Sequence, residues 1–526
     1  MRKGLLGLIA GAVFAQSGLA EEAAPAASAE KVSFDVWAYR IDGNTALADE
    51  ALERAVYQYT GPGRAIEDVE EARKALEKLY HDKGYASVLV DIPEQDVEEG
   101  LVVLQVTEGQ VGRLKVSGSR YFSLGKIKEG VPSLAEGQVL HMPTVQKELE
   151  KLAEESPDRS VTPVLRAGQT PGKLDVELEV KDQLPLHGGV EMNTRNSTGT
   201  TLTRLIGSIR YDNLWQLQHS ASLQYQVSPE NYDEVEVWSG TYAMPLNFWD
   251  ARLAFYGVGI SSNTNIASAG ALSVVGTGEI YGLRLVKPFD SGGGFFHTLT
   301  LGWDYKDFGQ SILTGADTQA SPIHYAPFML GYTFVRRGDD RLTSLDLALH
   351  FNIRSLGNNA QEFADKRFNA KPNYMYFAAE AKHQEILPYD LRLLLRASGQ
   401  ITDMPLISNE QFSAGGPLSV RGYHQTEALG DDGVFGSLEL YSPKLIDSET
   451  IQELRVLGFL DGARLWVLDP LAGTPSGYHL ASAGAGFRMR SFSRLTNELD
   501  WSYPFTAINS VNVGQQRIDF KVAYEF

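Results

Sequence analysis

The strongest constraint on the fold is a region from about residue 183 to residue 526 in which apolar and polar side chains alternate along successive segments. A period of two residues is typical of β-strands, because neighbouring side chains point to opposite faces of a sheet. The apolar face of the last segment carries Ile518, Phe520, Val522, Tyr524 and Phe526. Such a strand suits a wall between lipid and a water-filled lumen, and the terminal aromatics Tyr524 and Phe526 form a predicted C-terminal barrel signal.

Sixteen candidate strands of about ten residues can be placed in this region, and a single-chain bacterial barrel requires an even number. They lie near residues 188–193, 204–211, 219–227, 235–243, 252–261, 278–286, 298–305, 323–336, 341–353, 374–386, 390–400, 433–441, 454–465, 479–489, 495–503 and 517–526. Short connections such as 387–389 alternate with long ones such as 263–276, 308–322 and 357–373, as in membrane barrels. The sequence therefore predicts a membrane β-barrel, with a 16-stranded antiparallel transmembrane barrel over residues 183–526. A large soluble β-sandwich, the alternative, would not explain the apolar face, the loop alternation and the terminal aromatic residue together.

The composition excludes several classes of function. With 47 Lys and Arg against 66 Asp and Glu, the net charge is −19, which argues against a nucleic-acid partner. The absence of cysteine excludes disulfides, Cys-ligated zinc, iron–sulfur clusters and thiol catalysis. The ten histidines form no short His–His zinc motif, and neither a G-x-S-x-G elbow nor a Gly-rich phosphate loop with its lysine is present. We therefore expect no enzymatic activity, no cofactor and no metal site.

The N-terminal residues have the pattern of an export signal. Arg2 and Lys3 precede an apolar run that ends in small residues near Ala20. This pattern predicts a signal peptide over residues 1–20 and a short disordered leader over 21–31, with a buried N-terminal helix as the alternative. No later stretch has the ~18 consecutive apolar residues of a membrane-spanning helix.

Two small modules of similar order, over residues 32–109 and 110–182, precede the barrel region. Each is predicted as βααββ, and the first begins with a strand near residues 32–41. A three-stranded sheet covered by helices on one face leaves an open edge that can accept an extended chain as an added strand. The alternative is that the modules are spacers whose edges are blunted by charged residues.

The longest predicted loop, 402–432, contains the run Phe-Ser-Ala-Gly-Gly-Pro-Leu-Ser-Val-Arg-Gly-Tyr over residues 412–423. Two strands later the chain reads Gly-Phe-Leu-Asp-Gly, with Asp461 as its fourth residue. Here the chain resembles the two-partner secretion translocators, outer-membrane transporters of the hemolysin secretion and activation type, within a superfamily that also holds the outer-membrane protein insertases. The resemblance runs from about residue 32 to the end and implies periplasmic POTRA domains ahead of a 16-stranded barrel.

The resemblance also assigns roles to residues of this loop. The family carries a Val-Arg-Gly-Tyr or Val-Arg-Gly-Phe tip on a long sixth outer loop, which folds back into the lumen so that its arginine pairs with an aspartate on strand 13. The matching tip residues here are Val420, Arg421, Gly422 and Tyr423, the matching aspartate is Asp461, and Gly415 and Gly416 support the loop.

Physical chemistry favours this pairing, because an arginine inside a barrel is costly unless a carboxylate meets its planar guanidinium. Glu439 lies on the lumenal face of its predicted strand by the alternation of side chains, so it is a second candidate partner of Arg421. Leu457 and Phe459 share that face and are expected to pack against the loop. The alternative is that Arg421 and Asp461 are ordinary exposed charges, which pair weakly.

The resemblance implies a transporter in the outer membrane of a Gram-negative cell, with its POTRA domains in the periplasm. It would capture an unfolded partner exoprotein of the adhesin or hemolysin type through these domains and export it through the barrel without ATP. The expected state is a monomer in outer-membrane lipid. The second hypothesis is an insertase that assembles other barrel proteins, for which the weakly patterned Gly188-Gly189 segment would permit a loose seam, although two POTRA modules rather than three to five favour secretion. A passive pore is the third, and it would leave the modules without a role.

One departure from the family concerns closure of the pore. Many relatives have an N-terminal helix that plugs the pore, followed by a linker. Only about ten residues separate Ala20 from the first predicted strand, too few for such a helix and linker. The sixth loop is then the candidate seal.

Overall fold

The computed structural model describes residues 33–97, 99–261, 267–269, 272–274, 277–290, 292–314, 317–508 and 510–526. The predicted signal peptide (1–20) and leader (21–31) lie outside the described residues. In the part of the chain that the structure describes, no helix has both the length and the apolar character needed to cross a membrane.

The chain divides into two compact units. The first takes in the described residues up to Ser117, together with Lys128–Leu152 and Val161–Glu179. The second comprises Gly118–Ile127, Ala153–Ser160 and Val180–Phe526. The second βααββ module therefore contributes segments to both units.

The first module has a broken first strand. Its elements are β1 (Ser33–Val36), β2 (Ala38–Asp42), α1 (Asp49–Val56), a 3₁₀ turn (Tyr57–Tyr59), β3 (Gly61–Ala65), α2 (Ile66–Asp82), β4 (Leu89–Asp91) and β5 (Leu101–Thr107). β1 pairs with β3, whereas β2 pairs in parallel with β5 in a sheet of order β2-β5-β4. The single strand predicted over 32–41 is therefore wrong, because the chain changes partners at Trp37, whose N–H donates to the carbonyl of Gly100 at 2.7 Å.

The core of the first module is made by one face of α2 and one face of the sheet. The helix buries an apolar stripe with the spacing of an amphipathic helix, namely Val69, Ala72, Leu76 and Tyr80. In β5 every second residue is buried, which is the strand equivalent of that stripe. The Tyr80 hydroxyl donates to Asn44 Oδ1 at 2.7 Å, so the polar end of this buried ring has a partner.

The second module repeats the order of the first. Its elements are β6 (Gln110–Ser117), α3 (Leu124–Glu129), a 3₁₀ turn (Pro132–Leu134), α4 (Met142–Glu154), β7 (Arg159–Ala167) and β8 (Lys173–Asp182), and the sheet order is β6-β8-β7. At the end of β8, the Asp182 carboxylate accepts the backbone N–H groups of Arg120 and Tyr121, both at 2.8 Å. Burial raises the pKa of Asp182, but these hydrogen bonds and one from Ser119 outweigh it and hold the pKa below its ordinary value.

Most of the remaining strands close into an antiparallel barrel, whereas β14 with β15 and β23 with β24 form separate two-stranded sheets. The elements are β9 (Leu186–Asn193), β10 (Arg204–Leu214), β11 (His219–Val227), β12 (Glu236–Leu246), β13 (Ala251–Ser261), β14 (Ala267–Ala269), β15 (Leu272–Val274), β16 (Thr277–Asp290), β17 (Phe295–Thr314), β18 (Asp317–Tyr325), β19 (Phe328–Arg337), β20 (Arg341–Phe351), α5 (Ala360–Lys366), β21 (Met375–Leu387), β22 (Leu391–Thr402), β23 (Phe412–Ala414), β24 (Ala428–Gly430), β25 (Asp432–Tyr441), β26 (Ile451–Trp466), β27 (Gly477–Ser491), β28 (Leu495–Pro504) and β29 (Arg517–Glu525). The wall has 16 strand positions, because β18 and β19 share one, and the predicted 16-stranded barrel is confirmed.

The wall differs from the prediction around β17. The predicted strand 298–305 is much longer, and the predicted loop 308–322 is instead a hairpin in which Lys306–Thr314 pairs with β18. The predicted strand 323–336 is broken between β18 and β19 at Ala326 and Pro327. Proline has no N–H for a ladder, so the break falls where a continuous strand would lose a hydrogen bond.

Side chains alternate across the wall as the sequence predicted. In β29, Ile518, Val522 and Tyr524 are exposed on the outside, whereas Asp519 is buried on the lumenal side. The outer face is therefore apolar, as lipid requires. The end of the barrel at which β9 begins is called the entry end here, and the opposite end is called the far end.

Candidate functional site in the barrel lumen

The connection between β22 and β25 returns into the interior of the barrel. Its two limbs pair as β23 and β24, with Phe412 opposite Gly430 and Ala414 opposite Ala428. Gly415 and Gly416 follow with φ of +111° and +99°, a region that favours glycine. A Cβ on Gly415 would lie 2.5 Å from the carbonyl oxygen of His424, so the limbs could not approach so closely with a larger residue.

A tight turn carries the loop tip. The Gly416 N–H donates to the Val420 carbonyl at 3.2 Å, and Gly422 has a φ of +91°. Val420 and Tyr423 are fully buried on either side of the arginine. The Tyr423 hydroxyl donates to the Thr506 carbonyl at 2.9 Å, which fixes the tip to the segment after β28.

Arg421 lies between three carboxylates of the wall. The Arg421 side chain is 1% exposed. Its Nε lies 2.7 Å from Asp461 Oδ2 and its Nη2 lies 2.8 Å from Asp461 Oδ1, so the two residues form a bidentate ion pair. Nη2 lies 3.0 Å from Glu439 Oε1, and Nη1 lies 3.7 Å from Asp500 Oδ2. These partners stand on β26, β25 and β28 respectively, so one loop residue joins three strands of the wall.

Two further arginines complete the charge balance around the tip. Arg396 Nη2 lies 3.1 Å from Glu439, and Arg488 Nη1 lies 2.7 Å from Asp500. Three cations therefore meet three anions, and the pair of Arg421 with Asp461 at their centre is fully buried. Breaking a buried pair by removing one partner costs about 3–5 kcal/mol, because the remaining charge is left without compensation.

An aromatic ring closes the pocket from one side. The Arg421 guanidinium carbon lies 3.5 Å from the centroid of the Phe459 ring, a cation–π contact. Phe459 and Leu457 are both buried on the lumenal face of β26. Phe459 thus packs against the loop, as expected from the sequence, and Leu457 is buried on the same face of the strand.

At the far end, the base of the loop is organised around another buried carboxylate, Asp431. Asp431 is fully buried and pairs with Arg367, which follows α5, through Nη1 to Oδ1 and through Nη2 to Oδ2 at 2.6 Å. It also accepts the N–H groups of Leu406 at 2.8 Å and Leu468 at 2.7 Å. One carboxylate therefore ties together three loops, those before β21, before β25 and after β26.

Glu410 is a further buried carboxylate at the base of the loop. Glu410 accepts from Lys306 Nζ at 2.6 Å, from the Tyr325 hydroxyl at 2.7 Å and from the Tyr376 hydroxyl at 2.9 Å. These partners come from β17, β18 and β21. Around them lies an apolar cluster that includes Phe363 of α5.

The sequence predicted most of the charged cluster around Arg421 at the loop tip but neither Asp431 nor Glu410 at the loop base. The motif placed Arg421 opposite Asp461, and strand alternation placed Glu439 beside them. Asp500, Asp431 and Glu410 were missed. Asp431 stands in the run Gly-Asp-Asp-Gly over residues 430–433, which has the composition of a turn and gives no sign of burial.

The C-terminal residues lie apart from the loop. The backbones of Phe526 and Gly188 exchange hydrogen bonds of 2.9 and 3.0 Å where β29 meets β9. A Cβ on Gly188 would lie 2.5 Å from the Phe526 ring, so this glycine makes room for the terminal aromatic. The ring of Tyr524 has its centroid 6.4 Å from that of Phe526.

One His/Asp group in the described residues has ligand atoms close together. His187 Nε2 lies 2.9 Å from Asp158 Oδ2 and 3.6 Å from Asp212 Oδ2. Gln183 already donates to Asp158 at 2.8 Å, and Arg210 donates to Asp212 at 3.0 Å. Because both carboxylates have protein donors, we interpret the group as a hydrogen-bonded cluster.

The fold and the docked loop define a class of outer-membrane transporter that carries POTRA domains. Residues 172–489 match the family described as haemolysin secretion/activation protein ShlB/FhaC/HecB, and residues 34–109 match the ShlB-type POTRA domain. The chain belongs to this haemolysin secretion/activation family. It is a two-partner secretion transporter of the outer membrane, a type that exports partner exoproteins, and its POTRA domains lie in the periplasm.

Individual relatives agree with the family. The chain is 22% identical over 408 residues to the outer membrane transporter CdiB of Dickeya dadantii, covering 76% of this chain and 71% of that protein. It is 20% identical over 412 residues to the heme/hemopexin transporter protein HuxB of Haemophilus influenzae, covering 74% and 68%.

Solved structures share the fold. CdiB from Escherichia coli superposes with a TM-score of 0.62 at 19% identity, covering 95% of this chain and 92% of that one. BamA from Haemophilus ducreyi lacking POTRA domains 1–3 gives a TM-score of 0.58 at 15% identity, covering 94% and 100%.

Proposed function

We propose that the chain captures one unfolded partner exoprotein in the periplasm and exports it through the barrel lumen, with the docked sixth loop as the seal at rest. The observation that carries this proposal is the position of the loop tip between two cavities of the lumen. The cavity on the entry side, about 500 Å³, is lined by Arg421 and Leu418. The cavity toward the far end, about 610 Å³, is lined by Leu418 and Glu410. An extended chain could pass from one to the other only if the tip left its seat.

The POTRA modules supply the edges that would capture the passenger. The proposed boundaries are 32–109 and 110–182, after a signal peptide over 1–20 and a leader over 21–31 and before a barrel over 183–526. In the two sheets, β2, β4, β6 and β7 are edge strands. In β4, the N–H and carbonyl of Val90 already bond Glu77 and Arg73, and in β6 those of Val111 bond Gln138 and Gly137. The edges that can add a strand of extended polypeptide are therefore β2 and β7, through backbone hydrogen bonds that do not depend on passenger sequence.

No nucleotide is needed in this scheme. Folding of the passenger outside the cell would make export irreversible, as the free energy of a folded domain exceeds thermal energy many times. The transporter would act as a monomer in outer-membrane lipid, since a single barrel encloses the whole path. The passenger would be a large exoprotein of the adhesin or haemolysin type.

The test compares the secreted and surface proteins of cells with and without this chain. We expect one large exoprotein to be missing from the medium in the deletion strain and to reappear on complementation. A deletion strain that lacks many outer-membrane barrels instead would support an insertase. An unchanged set of exported proteins would contradict export by this chain.

The insertase is retained as the second candidate because one seam of the barrel is short. Lys521–Glu525 of β29 pairs with Gly189–Asn193 of β9, whereas the other seams of the wall extend over eight residues or more. The chain lacks cysteine, so a disulfide between Val190→Cys and Tyr524→Cys, which stand opposite each other, would close this seam cleanly. A transporter that uses the lumen should still export with the seam locked, whereas an insertase that opens sideways should stop.

A further inference from the structure

The entry-side cavity of the lumen carries an excess of positive charge. Its lining includes nine Lys or Arg side chains against five Asp or Glu, in a chain whose net charge is −19. The cavity is walled by β-sheet, and a cleft lined by one sign of charge concentrates ions of the opposite sign. This local excess therefore opposes the charge of the whole molecule.

The acids of the cavity do not neutralise its arginines one for one. Glu453 lies 2.7 Å from Arg455, 3.4 Å from Arg392 and 3.9 Å from Arg490. A single carboxylate of the cavity thus contacts three guanidinium groups, of which Arg455 also pairs with Asp390, outside the cavity lining, at 2.9 Å. Arg490 is the most distant of them and has a 55% exposed side chain, so it remains available to a further anion.

Two other cations have no acidic partner among the described residues. Lys382 of β21 lines the entry-side cavity, and Arg494 follows β27 at the entry end. An adjoining cavity of about 800 Å³ shares Arg490 with the first and opens at the entry end, where it is lined by Arg210 and Arg494. The basic surface therefore continues from the entry end to the underside of the loop tip.

The far-side cavity has no such excess. Its lining contains Arg195, Arg284 and Lys306 against Asp304, Asp346, Glu380 and Glu410. Of the two cavities, only the one that faces the periplasm therefore has an excess of positive charge. Lipid is outside the wall, so the anion that reaches this surface must enter through the periplasmic mouth.

We propose that the entry-side cavity binds acidic segments of extended polypeptide. The inference rests on the proposed function, and it adds a charge preference to the passenger. Glutamate and aspartate side chains of a threading chain would pair with Lys382, Arg490 and Arg494, since guanidinium groups bind carboxylates in two-pronged geometry. Acidic segments would accumulate directly below the seal, whereas lysine-rich segments would be repelled.

The experiment measures binding of labelled peptides to the full chain in detergent by fluorescence anisotropy. Three peptides of equal length carry Glu, Gln or Lys at the same positions in a Gly/Ser background. We expect the Glu peptide to bind about tenfold more tightly than the Gln peptide at low salt, and the difference to shrink as salt is added. The Lys peptide should bind most weakly.

A pair of triple variants locates the site. Lys382→Gln with Arg490→Gln and Arg494→Gln should abolish the preference for Glu, because it removes the available cations of the entry-side cavity and of the cavity that adjoins it. The matched control, Arg54→Gln with Lys74→Gln and Lys78→Gln, removes three exposed cations from the helices of the first module and should leave the preference for Glu intact. Circular dichroism and heat-modifiable migration on gels verify that each variant is folded.

Several outcomes would overturn the inference. They are equal affinity for the Glu and Gln peptides, loss of the preference in the control variant alone, and a preference for inorganic polyphosphate over the Glu peptide, which would indicate a general anion site. The proposed function is judged separately by the deletion strain. If the exoprotein is lost from the medium but the peptides bind alike, export stands and the charge preference falls.

Discussion

The loop tip and the loop base both depend on a buried Arg–Asp pair, but their partners differ. At the tip, the loop supplies the arginine, and the wall supplies Asp461, Glu439 and Asp500. At the base, the loop supplies Asp431, whose charged partner Arg367 belongs to the neighbouring loop between β20 and β21. The ion pairs of the tip are therefore made with the wall, whereas the ion pair of Asp431 at the base is made with a neighbouring loop. We infer that opening requires the tip to leave its seat but allows the base to stay assembled.

The largest effect is expected from Arg421→Ala. The variant leaves Asp461 and Glu439 buried without their main cation, which costs about 3–5 kcal/mol of docking free energy. If export needs a tip that returns to its seat as well as leaves it, the loss of docking should make export fall strongly while the barrel still reaches the membrane. Passenger in the medium and heat-modifiable barrel in the membrane fraction measure the two quantities.

The matched control for this variant is Arg464→Ala, which removes an exposed arginine of the same wall strand as Asp461. It should leave both quantities unchanged. Normal export by Arg421→Ala would contradict a role of the tip in transport, and loss of the barrel from the membrane would make that role structural.

A smaller effect is expected from Asp431→Asn. The amide can still accept one backbone N–H, but it loses the charge that pairs with Arg367, and hydrogen bonds to charged groups contribute about 1.5–3 kcal/mol each. We expect the loop between β20 and β21 to become sensitive to protease added outside intact cells, while export continues. The control is Asp403→Asn, which changes an exposed aspartate in the loop that contains Asp431. If Asp431→Asn stops export as fully as Arg421→Ala, the distinction between tip and base is wrong.

The sequence predicted the wall better than the loops for a physical reason. The wall repeats one rule, apolar outside and polar inside, over 16 strands, and β11 was placed with both of its ends correct. The pairing of Arg421 with Asp461 at the tip could be predicted because the family motif includes both residues. The base has neither signal, since Asp431 and Arg367 are 64 residues apart and both stand in irregular segments. The end of β17, which pairs with β18, carries Gly309 among polar residues and is predicted as a loop for the same reason.

Glu410→Gln tests whether the base is also held by the wall. The substitution leaves Lys306 without its counter-charge and weakens the bonds from Tyr325 and Tyr376, with an expected loss of about 1–3 kcal/mol in unfolding free energy. Thermal unfolding of the purified barrel measures it. In the double variant Glu410→Gln with Lys306→Met, we expect less than the sum of the two single losses, because residues in contact do not act independently. Additive losses would mean that this pair contributes nothing of its own.

The smallest effect is expected from Phe459→Leu, which separates the aromatic part of the tip seat from its ionic part. The variant keeps an apolar side chain against the loop but loses the cation–π contact with Arg421, about 0.5–2 kcal/mol. Export should fall only slightly, and Phe459→Tyr should behave like the wild type because the ring is retained. Leu457→Ile, at the next buried lumenal position of the same strand, controls for a change of apolar shape without a ring. If Phe459→Leu is as damaging as Arg421→Ala, the seat of the tip is governed by the ring, and the carboxylates of the wall do not by themselves hold the loop.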